Sequence, residues 1–170
     1  MDSGFQNPES LWLLFCIYKI MLDRAVKKSI IINAFAADVW KHLTDPESIK
    51  KFLFNAEVKT DWKQGSPIEY SGNWKGRDYI GKGEIISIEK ETLLEHTYYS
   101  NLSGLPDSPD NYCRVIYTLE QQENQTVLSV TQTNVLSKDE YDQVSEYWGM
   151  VLDKIKCIVE NEVVANQVVS

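Results

Sequence analysis

The chain has 170 residues, 43% hydrophobic and 25% charged, which suits one globular domain with a sizeable core. Its formal net charge of -8 and pI near 4.8 exclude the broad basic face that nucleic-acid binding requires. Cys16, Cys113 and Cys157 are odd in number and lack Cys-x-x-Cys spacing. They read as small buried hydrophobes in a reducing cytosol, so a cytoplasmic location is expected.

Residues 1–24 form an apolar extension ahead of the domain expected over residues 25–165. Residues 11–18 are almost wholly apolar, and Lys19 interrupts them before Ile20, Met21 and Leu22. The run is shorter than the ~20 apolar residues that span a bilayer. It has neither the basic leading segment nor the small-residue cleavage site of a signal peptide. As a helix it would be apolar on every side, too much so to stand alone on a monomer. Burial against the domain or, in preference, across a homodimer contact is one expectation. Translation beginning at Met21, which leaves the segment outside the fold, is the other.

Residues 26–33, with Ile30, Ile31 and Ile32, are β-branched and predict a strand. Residues 36–43 predict a short helix with Val39, Trp40 and Leu43 inward. Asp45 and Pro46 then supply the cap and first position of a second short helix over 46–52. Strands follow over 55–61, 67–73, 79–90 and 92–100, then a Gly- and Pro-bearing loop to residue 111. Residues 112–121 and 125–134 make a hairpin. Ser137 and Glu140 form a Ser-x-x-Glu capping box, with Leu136 and Tyr141 placed as its hydrophobic staple. The helix that it opens runs to about Val163. Tyr141, Val144, Trp148, Val151, Leu152, Ile155, Ile158 and Val159 recur along it at three- and four-residue steps. The class is α+β: a curved antiparallel sheet wrapped around a long C-terminal helix, with two short helices after the first strand. Such a helix either encloses a cavity with the sheet or closes a solid core, and the pattern leaves both open.

Motif chemistry is sparse. The Gly81-Lys82-Gly83 stretch lacks the third glycine of a dinucleotide loop and opens a strand. His42 and His96 have no partner at metal-ligand spacing, and no Gly-x-Ser-x-Gly elbow occurs. No cofactor, metal or catalytic residue is assigned. Strand alternation is more informative. It predicts one face carrying Ile68 and Tyr70; Glu84, Ile86 and Ile88; Leu94, His96 and Tyr98; Cys113, Val115, Tyr117 and Leu119; and Leu128, Val130 and Gln132. A few polar groups converging in an apolar concavity suit a small-molecule pocket, although tyrosines in a sheet also serve as plain core.

The run Val39-Trp40 to Leu43-Thr44-Asp45-Pro46-Glu47 resembles the "VW-x-x-L-T-D-P-E" opening of the START/SRPBCC (Bet v 1-like) helix-grip superfamily. More narrowly, it is similar to bacterial proteins related to the activator of the ninety-kilodalton heat-shock chaperone's ATPase. Gly65-Ser66-Pro67 resembles the "G-S-P" start of their third strand. Gly83-Glu84-Ile85-Ile86-Ser87-Ile88, Leu94-Glu95-His96-Thr97-Tyr98 and the segment from Trp148 to Lys156 resemble later motifs in the same order. The resemblance implies a curved sheet gripping the last helix over a hydrophobic cavity. Phe52-Leu53-Phe54 departs from a Trp-type position, and His96 and Tyr98 replace larger aromatics, so ligand identity does not carry over.

The leading expectation is a module that binds a small apolar or amphipathic ligand in the helix–sheet cavity. Ile68, Tyr70, Ile86, Tyr98, Tyr117, Val130, Trp148 and Leu152 would line it, with Glu84, His96 and Gln132 as polar anchors. The alternative, which the resemblance implies, is a co-chaperone-like protein-interaction module related to the heat shock protein 90 ATPase activator. It would act through its outer surface on a chaperone or other partner, with its acidic charge favouring a basic partner surface. A cyclase- or hydrolase-type enzyme using Glu84 and His96 as an acid–base pair comes third.

Overall fold

The computed structural model describes residues 24–169, and the extension's expected self-contact lies outside them. Strand β1 (Val26–Ile32) leads into helices α1 (Ala36–Leu43) and α2 (Pro46–Phe52). Strands β2 (Glu57–Lys59), β3 (Pro67–Trp74), β4 (Arg77–Glu89) and β5 (Leu93–Ser100) follow. Two 3-10 turns, Asn101–Ser103 and Pro109–Asn111, precede β6 (Cys113–Gln122), β7 (Gln125–Gln132) and helix α3 (Lys138–Val169). The seven strands form one antiparallel sheet in the order β1-β7-β6-β5-β4-β3-β2. This is the α+β architecture expected. Among the described residues no helix is long and apolar enough to cross a membrane.

Local chemistry sets the helix starts. The Asp45 carboxylate accepts from the Ser48 backbone N–H at 2.9 Å and from its hydroxyl at 2.7 Å, while Pro46 occupies the first turn. At α3 the Ser137 hydroxyl accepts from the Glu140 N–H at 3.1 Å. Glu140 reaches back one residue further than a standard capping box, to the Leu136 N–H at 2.7 Å. The expected staple is not buried, since Leu136 and Tyr141 both stay exposed. Tyr141 thus leaves the inward stripe, which begins at Val144 and runs through buried Trp148, Val151, Leu152, Ile155 and Val159. The helix continues to Val169 and not to about Val163. Near its far end the Glu162 carboxylate meets Lys41 and, at 3.0 Å, the His42 imidazole, which ties α3 to α1.

The stripe packs against Ile68, Tyr70, Ile85, Leu94, Val115, Tyr117, Leu119, Leu128 and Val130 from the concave face of the sheet. In β3, β5, β6 and β7 the inward phase is the one the alternation predicts. In β4 it is not. Tyr79, Gly81, Gly83 and Ile85 point inward, and the register then shifts between Ile85 and Ser87, so Ile85 pairs His96 but Ser87 pairs Glu95. Ile86 is the extra residue of a β-bulge, which restores Ile88 to the inner face. Glu84 is therefore exposed and Ile86 is only half-buried, outside the core cluster, which corrects their expected inward placement.

Candidate functional site

Where β3, β4, β5 and β6 face the first half of α3, aromatic side chains converge. Tyr70 stands edge-on to Tyr98 with ring centroids 5.8 Å apart and lies 5.8 Å from the His96 ring. Tyr117 meets Trp148 edge-to-face at 5.8 Å, and Tyr147 meets Trp148 at 5.1 Å. The Tyr70 hydroxyl is influenced by those of Tyr79, Tyr98 and Tyr147, and that of Tyr117 by Tyr70 and Tyr147. Five phenols thus share one interior. The backbone makes room for them. A Cβ on Gly81 would stand 2.5 Å from the Tyr98 ring, so the ring lies directly on the glycine. A Cβ on Gly83 would meet the Thr97 carbonyl oxygen at 1.8 Å, so only glycine lets β4 approach β5 there.

The polar groups are few and specific. His96 Nδ1–H donates to the Thr97 carbonyl at 2.9 Å, which fixes the tautomer and leaves Nε2 as an acceptor. The Tyr70 hydroxyl faces that lone pair at a long 3.4 Å. Trp148 Nε1–H donates to Gln132 Oε1 at 2.9 Å and anchors the helix to the end of β7. Burial pulls the His96 pKa down to about 4 and pushes Tyr98 up to about 12. Burial also raises Tyr70, Tyr117 and Tyr147, and it lifts the Cys113 thiol beside the Tyr98 carbonyl to about 12. At neutral pH the interior therefore presents neutral phenols, a neutral imidazole acceptor and an un-ionised thiol. It can bind by stacking and neutral hydrogen bonds. It offers no poised base.

Of the residues expected to line a pocket, Ile68, Tyr70, Tyr98, Tyr117, Val130, Trp148 and Leu152 meet in this core, together with His96 and, through Trp148, Gln132. Glu84 and Ile86 are elsewhere. With Glu84 on the solvated face, the Glu84–His96 acid–base pair does not exist. The two best-formed depressions of the described residues are open surface clefts of about 510 and 740 Å³, and neither is lined by any expected pocket residue. The first lies between Pro46, Trp62 and Glu69, and the second between Phe35, the β6–β7 hairpin and Val163. No group of three His, Cys, Asp or Glu side chains among the described residues could hold a metal ion.

Sequence reasoning missed Tyr79, Tyr147, Phe54 and Trp74. Tyr79 belongs to the β4 phase that the bulge obscures. Tyr147 was findable, because it precedes Trp148 and lies four residues before Val151 on the flank of the stripe. Phe54 and Trp74 carry no periodic signal. They pack with Tyr147 as three mutually touching rings, with centroids 5.3, 5.7 and 5.9 Å apart.

A curved antiparallel sheet closed by one long C-terminal helix, with two short helices between the first strands, defines a helix-grip protein. The chain belongs to the family of Activator of Hsp90 ATPase homolog 1-like proteins, whose model matches residues 33–160. A Cytophaga hutchinsonii protein of known solution structure is 34% identical, with a TM-score of 0.72 over 82% of this chain and 96% of that one. A Mesorhizobium loti crystal structure is 20% identical, with a TM-score of 0.66 over 81% of this chain and 98% of its own. The solution structure of an Aha1 dimer from Colwellia psychrerythraea is 20% identical, with a TM-score of 0.65 over 80% of this chain and 96% of that one. No curated protein matches the chain.

Proposed function

We propose that this protein is a non-enzymatic binding module for a small apolar or amphipathic molecule, held between the sheet and the first half of α3. The observation that carries the reading is the shared interior of Tyr70, Tyr79, Tyr98, Tyr117 and Tyr147 around the His96 acceptor, at a place where apolar residues would make a simpler core. Burying five phenols is costly unless their hydroxyls find partners. The Tyr70 hydroxyl has its long contact with His96, and the Tyr98 hydroxyl bonds the Ser100 side chain. A ligand with one or two hydrogen-bonding groups would exchange for these long or peripheral contacts while its apolar body stacks on the rings. Tyr147 links this interior to Phe54 and Trp74, since its ring touches Trp148 and both of those rings. The un-ionised state of every titratable group in the interior supports binding over catalysis.

The test is titration with the neutral aryl amine N-phenyl-1-naphthylamine, followed by NMR at the Trp148 indole N–H and the His96 ring. Both signals should shift together and saturate. If neither moves while the probe binds, the site is elsewhere; if the probe does not bind at all, the ligand-binding reading fails.

An interaction role is the second reading, favoured by the dimeric Colwellia psychrerythraea neighbour and the apolar run at residues 11–18. On that reading the extension joins two copies. A chain starting at Met21 should stay folded and lose self-association in sedimentation; a full-length monomer refutes it. The free Cys113 and Cys157 support a reducing, cytoplasmic setting.

A further inference from the structure

The Phe54–Trp74–Tyr147 cluster joins the tyrosine interior to the surface. Tyr147 touches Trp148 on the inner side and both outer rings on the other. Three cationic residues stand at or beside this cluster. Lys154 holds its ammonium 4.0 Å above the centre of the Phe54 ring, and Lys75 lies 5.5 Å from that of Trp74. Arg77 faces Trp74 across the β3–β4 turn. None of the three makes an ion pair among the described residues, a state they share with Arg24, Lys27, Lys28, Lys51, Lys59 and Lys63; what sets them apart is their place at the aromatic rings. In a chain of net charge -8, carboxylates were available to neutralise them. The hairpin's own acid, Asp78, is instead held by Asn73 at 2.8 Å. Phe54 reaches its position with φ at 52°, a backbone conformation that costs a bulky L-residue about 1–2 kcal/mol.

We infer that Phe54, Trp74 and Tyr147 form the entrance to the binding site, and that Lys75, Arg77 and Lys154 select amphipathic organic anions. The inference rests on the ligand-binding reading above and names the ligand class. The acid group stays outside on the cations, where it keeps its hydration in part. The apolar body passes the rings into an interior that rejects charge: every phenol there is un-ionised and the imidazole is neutral, so an anionic head would find no countercharge within. Opposed polarities at rim and interior thus orient the ligand with its head outward.

The experiment compares two probes that share one aryl skeleton: 8-anilinonaphthalene-1-sulfonate, which is anionic, and the neutral N-phenyl-1-naphthylamine. Binding is read by probe fluorescence at low and high salt, on the full chain and on a Lys75→Gln/Lys154→Gln variant. These are polar replacements at an exposed and a half-buried site, and thermal unfolding checks the fold. The wild type should favour the sulfonate, and the variant should lose about tenfold in sulfonate affinity but less than about twofold for the amine. Added salt should remove the preference in the wild type only. Equal losses for both probes, or a preference that survives in the variant, overturn the inference while leaving the ligand-binding reading intact. If neither probe shifts the Trp148 indole signal, that reading itself falls and the inference with it. Sedimentation with phosphatidylglycerol vesicles forms a further arm. Charge-dependent binding there, without a Trp148 shift by either probe, would assign the surface to a membrane and refute the small-molecule class.

Discussion

Acidification should act on the fold through His96. This histidine is 3% exposed and its pKa is held down to about 4 from an ordinary 6.5, chiefly by burial. Between those values the unfolded chain binds more protons than the folded one, so stability rises with pH across the window. The contribution is complete above about 6.5 and is lost as pH falls toward 4. Taken at about 1.4 kcal/mol for each tenfold, the His96 share of the loss is about 2 kcal/mol at pH 5 and about 3 kcal/mol at pH 4. His96→Phe isolates it. The substitution keeps a ring in the site but sacrifices the bond to the Thr97 carbonyl and the contact with Tyr70, at a pH-independent cost of about 1–2 kcal/mol. Urea unfolding at intervals from pH 7 to pH 4 should show the variant less stable at pH 7 and equal to the wild type near pH 5. Below that pH the variant should be the more stable. Carboxylates titrate in both proteins and cancel in the difference. A stability difference that stays constant from pH 7 to pH 4 would falsify the argument, because it would mean that His96 charges as readily in the folded chain as in the unfolded one.

Gly83→Ala should destabilise by about 3 kcal/mol, since the new methyl meets a carbonyl oxygen of β5 and not a movable side chain; a change in the denaturation midpoint below ~0.5 kcal/mol would contradict the close strand approach. Gln132→Leu leaves the Trp148 indole N–H without its acceptor and should cost about 1–2 kcal/mol, with a change in Trp148 emission as the spectroscopic sign. Glu84→Gln should alter stability by less than about 0.5 kcal/mol and leave probe binding unchanged, because the side chain is on the solvated face; a large effect on either would return Glu84 to the site.

Much of the fold was readable from local signals. The Asp45-Pro46 start, the Ser137 cap and the three- and four-residue steps of α3 each depend on residues within a few positions of one another. The inward phases of β3, β5, β6 and β7 follow equally directly, because alternation is a property of the single strand. Those signals placed Tyr70, His96, Tyr98, Tyr117, Gln132, Trp148 and Leu152 on facing surfaces, which is most of the candidate site. β4 shows the limit. One extra residue at Ile86 reverses the phase, and a bulge is defined by the partner strand, so alternation within β4 could not reveal it. Glu84 was lost to the interior and Tyr79 gained for the same reason. Whether the interior is open or filled was likewise decided by tertiary structure alone. Periodicity says which side chains face each other, whereas free volume depends on the distance between the faces and on how rings such as Tyr98 over Gly81 interlock across them. The meeting of Phe54, Trp74 and Tyr147 is of this kind too: a turn, a strand end and a helix, far apart in the chain, contribute one ring each, and only the folded geometry brings them together.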